Sequence, residues 1–224
     1  MQRPYLILDN ISKTYPAKVP VTALKDISLD IPIGRRLAIL GKSGSGKSTL
    51  LNLLSLIDNP TSGRLLIDGR DATTFSEAET TRFRRYDVGF VFQFFNLIPT
   101  LTLRDNIILP LELIGQEKQQ DLFHHLVKET DINEQLDRYP EEVSGGQQQR
   151  AAIVRALVKK PRLLLADEPT GNLDFDTGCQ VVELMNHICR QENITLVMVT
   201  HSQDAAGICE QTIRLRDGHI INQP

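Results

Sequence analysis

The 224-residue chain is poor in cysteine, in long apolar runs and in any surplus of positive charge, and each shortage removes a class of function. Its three cysteines, Cys179, Cys189 and Cys209, are odd in number and lack C-x-x-C spacing, which excludes a zinc site or a disulfide framework and predicts reduced thiols. Net charge is −3 with the basic residues dispersed, so the electrostatic footprint of a nucleic-acid binder is missing. Ile107-Ile108-Leu109 is soon broken by Pro110 and Glu112, and no other run reaches the length of a membrane span. The apolar segment at Tyr5–Leu8 is too short for a signal peptide. The expectation is a cytoplasmic protein that reaches a membrane only through a partner.

What the chain does have, at 41% hydrophobic and 24% charged residues, is an ordinary globular composition and length for one full domain. Between the apolar runs Leu37–Leu40 and Leu50–Leu54 lies Gly41-Lys42-Ser43-Gly44-Ser45-Gly46-Lys47-Ser48-Thr49. This is G-x-x-x-x-G-K-[ST] in a strand–turn–helix setting. Glycines let successive N–H groups curl around an anion, and a helix opening near Lys47 adds unpaired N–H groups and the positive end of its dipole. Lys47 is then placed for β- and γ-phosphates and Ser48 for Mg²⁺, so the stretch predicts a nucleoside-triphosphate site.

A complementary piece comes from Leu163-Leu164-Leu165-Ala166-Asp167-Glu168, an apolar strand delivering two carboxylates at its end. In parallel sheets ligands bind at that end. Asp167 suits the Mg²⁺ shell and Glu168 suits activation of the attacking water. Two more strands end in polar residues: Val88–Phe92 in Gln93, and Ile194–Thr200 in His201. Gln93 is read as a metal or water ligand or as ordinary strand-end polarity, and His201 as a γ-phosphate contact or as packed polar structure. Tyr15 either stacks on an adenine or fills a turn at a sheet edge. Residues 94–160 shift to helical patterns with breaks at Pro99, Pro110, Gly115 and Pro140, which predicts a helical insertion. Within it Thr102 caps a helix through Ile107, another helix covers Asp121–Thr130, and His124 and His125 lie on a solvated face. The insertion closes with Val143-Ser144-Gly145-Gly146-Gln147, where Ser144 is a natural N-cap and the glycines expose the backbone of the first turn. That makes either a second anion site or simply a well-capped helix. Gly171–Asp174 is a turn, and Asp217-Gly218 closes a terminal hairpin.

Together these motifs resemble the ATP-binding cassette of ABC transporters over nearly the whole chain. Gly41–Thr49 is similar to the Walker A motif, Leu163–Asp167 to Walker B, and Glu168 to the catalytic base. Gln93 is similar to the Q-loop glutamine, His201 to the switch histidine, Asn172–Asp174 to the D-loop and Tyr15 to the adenine-stacking aromatic. Val143–Gln147 resembles the LSGGQ signature with Val in place of Leu. The resemblance implies an α/β phosphate-loop NTPase (RecA-like) core carrying an N-terminal antiparallel β subdomain and an inserted α-helical subdomain. The core with its β subdomain covers 1–93 and 161–224, and the helical signature subdomain covers 94–160. It also implies ATP and Mg²⁺, with Ser48, Gln93 and Asp167 at the metal. Nucleotide contacts fall to Tyr15, Gly41, Lys42, Ser43, Gly44, Ser45, Gly46, Lys47, Ser48 and Thr49, completed by Ser144, Gly145, Gly146, Gln147 and Asp174 across a dimer.

The implied partners are a second such subunit, read as a homodimer, and integral membrane permease subunits docked on the helical subdomain near Phe94–Leu103. The implied place is the cytoplasmic face of the inner membrane. Gln93–Thr102, Ala166–Asp174 and Val199–His201 further resemble the lipoprotein-release and macrolide-efflux ATPases, which implies export or extraction by mechanotransmission. Ser202 stands where an Asp is common. A cassette that signals through a membrane partner without transport is the alternative reading. DNA-repair and translation relatives are disfavoured by the missing coiled-coil insertion and second cassette.

Overall fold

The computed structural model describes residues 4–115 and 120–222. Ten strands among them form two sheets. The first is antiparallel, in the order β2-β1-β4-β5, from β1 (Pro4–Tyr15), β2 (Val21–Pro32), β4 (Ser62–Ile67) and β5 (Arg70–Asp71). The second runs β10-β9-β3-β8-β7-β6, from β3 (Arg36–Leu40), β6 (Val88–Phe92), β7 (Leu163–Asp167), β8 (Thr195–Thr200), β9 (Gln211–Arg216) and β10 (His219–Asn222). Here β6, β7, β8, β3 and β9 are mutually parallel, and β10 turns back antiparallel on β9.

Burial on both faces explains why these strands read as unbroken apolar runs. Successive side chains point to opposite faces. Leu163, Leu165, Val197 and Val199 pack with Leu6, Leu8 and Leu65 of the antiparallel sheet and with α1 (Lys47–Leu54). Leu164, Ala166, Leu196 and Met198 face the other way, onto α5 (Gly145–Leu157) and α6 (Phe175–Gln191), through Ile153, Val181 and Met185. The helical layer is extended by α3 (Leu103–Glu112) and α4 (Gln120–Glu129), whose Ile107 and Leu126 join the same core. The remaining helices are α2 (Glu77–Tyr86), capped by a Ser76–Glu79 box, and the short α7 (Gln203–Gly207).

One local reading changes. Pro110 does not break α3, which runs past Ile107 to Glu112. Pro110 has no N–H to donate, but it sits on a part-exposed face, and buried Leu111 holds the next turn in the core. Leu113 caps the helix, and the turn that follows ends in Gly115, whose φ is +67°. The segment before residue 33 forms two long strands, β1 and β2, kept in one ladder by bulges around Leu8–Ile11 and Lys13–Thr14. Asp174, the last residue of the expected turn, is also the cap of α6, accepting from the Thr177 N–H.

Strand β6 and helix α5 carry two candidate motifs and touch at Gly89. A Cβ there would lie 2.5 Å from the Ala156 carbonyl and 3.1 Å from both Leu164 and Pro161. Gly89→Ala therefore pries α5 from the sheet, at a cost of about 1–3 kcal/mol. With about 2–4 °C per kcal/mol for a chain of this size, thermal unfolding falls by roughly 2–12 °C; an unchanged midpoint in calorimetry contradicts this packing.

Candidate nucleotide site

Strand register brings the chemistry to one row. Leu40 pairs with Thr200, Asp167 with Val199 and Phe92 with Asp167, so Gly41, Glu168, His201 and Gln93 all leave the sheet at its carboxyl edge. Gly46, at φ +105°, caps α1, and a Cβ on it would lie 2.4 Å from the Ala23 carbonyl. Only glycine fits there, which lets the loop fold tightly against β2. The terminal hairpin braces the loop from outside: Gly218 N–H donates to the Ser45 carbonyl at 3.1 Å, and Lys25 N–H to the Gly218 carbonyl at 2.8 Å. A cleft of about 720 Å³ opens beside the loop, lined by Gly41–Ser45, His201, Gln203 and Arg214.

Within this row five side chains interlock. Lys47, only 8% exposed, donates to the Gly41 carbonyl at 2.8 Å and the Lys42 carbonyl at 3.2 Å, and lies 3.6 Å from Glu168 Oε1. Ser48 Oγ donates to Asp167 Oδ2 at 3.3 Å. Burial pushes the Asp167 carboxyl above its ordinary range; the Glu168 charge adds to this, while Ser48 and Lys47 oppose it. Glu168 itself is held at φ +46°, a conformation uncommon for a non-glycine residue. That turn aims its carboxylate back over the row, where Oε2 accepts from the His201 backbone N–H at 3.1 Å and meets His201 Nδ1 at 2.9 Å. Beside a carboxylate Nδ1 carries the proton, leaving Nε2 free. Ser202 caps α7, its Oγ accepting from the Ala205 N–H.

Gln93 lies apart from this cluster. Its amide rests against Gly171, where a Cβ would come within 2.6 Å of Nε2, and its carbonyl accepts from Asn172 Nδ2 at 2.9 Å. The glutamine is thus tied to the turn that follows Glu168. Tyr15 ends β1, half-buried, with Lys13 Nζ 4.9 Å from its ring centroid. Lys13 also pairs with Asp58 and donates to the Asn59 carbonyl at 2.7 Å. Burial pushes the Asp58 carboxyl up, but hydrogen bonds from Lys13 and Tyr15 outweigh it and hold the group below its ordinary range. Lys13 and Asp58 were not legible as site residues from sequence.

Ser144–Gln147 form a third group. Ser144 Oγ accepts from Gln147 N–H, and Gln147 Oε1 accepts from Ser144 N–H at 2.9 Å, a complete capping box. Among the described residues every hydrogen bond of Ser144 stays within this first turn. The turn packs on the next motif: a Cβ on Gly146 would lie 2.7 Å from Thr177 and one on Gly145 3.6 Å from Leu173. The capping Asp174 is held below the usual carboxylate range by the Thr177 backbone N–H. Behind it, Arg155 donates to the Asn96 and Phe95 carbonyls, and buried Asn106 bonds Ile98, Leu101 and Thr102. The segment after Gln93 is therefore fixed to α5 and α3. His124 and His125 are exposed, and among the described residues no group of three or more His, Cys, Asp or Glu side chains is placed to hold a metal ion.

The donor set fits a nucleotide with Mg²⁺: a glycine-curled loop, a buried ammonium facing it, and a hydroxyl–carboxylate oxygen pair at its mouth. Residues 24–171 match the family model described as ABC transporter. The chain is 44% identical to the ABC transporter ATP-binding protein YxdL of Bacillus subtilis over 97% of this chain and 86% of that one. It is 41% identical to the lipoprotein-releasing system ATP-binding protein LolD of Syntrophus aciditrophicus, over 90% of this chain and 91% of that one. Among solved structures, a dimeric post-hydrolysis state of the cassette MJ0796 bound to ADP and Pi superposes with a TM-score of 0.86 at 37% identity, covering 98% of this chain and 97% of that one. With loop, carboxylate pair and fold all agreeing, the chain belongs to the ABC transporter family as an ATP-binding, ATP-hydrolysing cassette of the α/β phosphate-loop class.

Proposed function

We propose that this cassette works as one half of a two-copy motor on the cytoplasmic face of a membrane, powering extraction or export of a substrate through a permease partner. The observation that carries the reading is the separation of the site into two incomplete halves. Lys47, Ser48, Asp167, Glu168 and His201 converge on the phosphate loop, while the Ser144 helix start spends its own capping bonds internally and leaves Gly145 and Gly146 N–H groups unclaimed by the cluster. A second copy facing the first brings that helix start to the γ-phosphate end of the loop, where its N–H groups and dipole stabilise the charge on the terminal oxygens. The dimer of MJ0796 supports this arrangement, and the likeness to LolD supports the direction of transport.

Each residue then has a defined task. Lys47 would exchange its loop carbonyls for phosphate oxygens, and Ser48 and Asp167, with Gln93 drawn in from its place against Gly171, would hold Mg²⁺, which would supply charge neutralisation on the phosphates. Glu168 accepts the proton of the attacking water. His201, donating through Nδ1 and its own N–H, fixes the Glu168 rotamer and presents Nε2 toward the phosphate. Lys13, itself held by Asp58, covers one face of the Tyr15 ring and leaves the other to stack on adenine. Residues 94–160 act as the moving helical part. Arg104 and Asp105 are engaged internally, with Asp137 and Thr102 respectively, whereas Phe94 is 72% exposed and Ile98 is exposed beside it. The apolar pair, not the charges, suits a helix of the permease.

Glu168→Gln should keep ATP affinity and lower turnover by about 10²–10⁴-fold. Light scattering should show an ATP-dependent dimer of this variant that Ser144→Arg abolishes; a monomer with ATP bound would overturn the two-copy reading. Phe94→Ala should leave the turnover of the isolated cassette intact yet remove stimulation by the permease in reconstituted vesicles. Asp167→Asn should raise the melting temperature in nucleotide- and Mg²⁺-free buffer by on the order of 1–3 °C at pH 7. The sign follows from burial: a carboxyl that titrates higher when folded costs stability once ionised, so the gap between variant and parent narrows as pH falls through its folded value.

A further inference from the structure

Gln149 is fully buried one turn into α5, between the three candidate motifs. Its Nε2 donates to the Pro169 carbonyl at 2.7 Å and to the Phe92 carbonyl at 3.4 Å. Pro169 directly follows Glu168, and Phe92 directly precedes Gln93. The side-chain oxygen Oε1 is buried with no hydrogen-bond partner among the described residues. Turning the amide over would set Oε1 against two carbonyl oxygens, so the orphan acceptor belongs to the site and is not an assignment error.

An orphaned buried acceptor lowers stability, and neighbours Ala152 and Ile153 show that apolar side chains fill this helix face. Stability alone therefore does not account for an amide here. What the amide does is join three moving parts at one point: the turn carrying Glu168, the strand end carrying Gln93, and the helix whose first turn carries Ser144. We propose that Gln149 is a positioning residue, which sets the tilt of the Ser144 helix start relative to the Glu168 and Gln93 turns and so couples cage closure to water activation. The proposal rests on the two-copy reading above. Gln149 is sealed from solvent, so its effect passes through Pro169 and Phe92. Both contacts are main-chain carbonyls, so no substitution at Pro169 or Phe92 can mimic its loss without moving the backbone.

Gln149→Met tests this, because Met matches the volume, removes both donors and removes the orphan oxygen. The expected result is an unchanged or raised melting temperature, ATP affinity within about twofold of the parent by nucleotide-dependent thermal shift, and turnover lowered about 10- to 100-fold, the loss expected for an ångström-scale misplacement. In the Glu168→Gln background the same change should weaken the ATP-dependent dimer at least about tenfold. Parental turnover in Gln149→Met overturns the proposal, as does a turnover loss that merely tracks a lowered melting temperature, which would mark Gln149 as a packing residue. Failure of Glu168→Gln alone to dimerise would overturn the two-copy reading instead, while the split between turnover and affinity in Gln149→Met still decides the role of Gln149.

Discussion

A parallel sheet buried on both faces has only its ends to offer to solvent, and this constraint governs the molecule. Leu163–Ala166 and Leu196–Val199 are covered above by helices and below by the antiparallel sheet. Polar groups on these strands are confined to their ends, and Asp167, Glu168, His201, Gln93 and the phosphate loop collect at the carboxyl end. The parallel register then aligns them without further help. Chemistry in this protein is concentrated where hydrophobic burial runs out.

The same constraint decides what was legible in the sequence. Loop, carboxylate pair and capped helix are local patterns, each contained in fewer than ten residues, and the resemblance they carry leads to the family to which the chain belongs. Helix starts at Thr102 and Ser144 were readable for the same reason, since the capping oxygen and the N–H it accepts from lie three residues apart. Pro110 misled because the cost of a missing N–H depends on which face it meets, and that is settled by Leu111 in the tertiary core. The join between Tyr15, Lys13 and Asp58 spans more than forty residues. Gln149 could be read only as the last letter of a glutamine run, since its partners at Phe92 and Pro169 are supplied by other strands.

Two networks divide the labour inside the cassette. Around the phosphate loop, charge holds charge: Lys47 sits between its own loop and Glu168, and His201 steadies the same carboxylate. Around α5, the bonds run from side chains to main-chain carbonyls, through Gln149, Arg155 and Asn106. The first network gathers charged and polar groups where a phosphate would lie. The second grips backbone, and Arg155 ties the segment at Phe95–Asn96 to the helix that begins at Ser144.

The strand order has a consequence for how the protein is made. β3, which feeds the phosphate loop, leaves the ribosome early, yet its neighbours in the sheet are β8 and β9, and the hairpin turn at Gly218 that holds Ser45 follows later still. Until β8, β9 and the Gly218 turn have been synthesised, the loop has no flanking strands and no brace. A nascent chain that has not reached that turn therefore presents its phosphate loop unsupported, and a firm grip on nucleotide waits for strands made long after the loop itself.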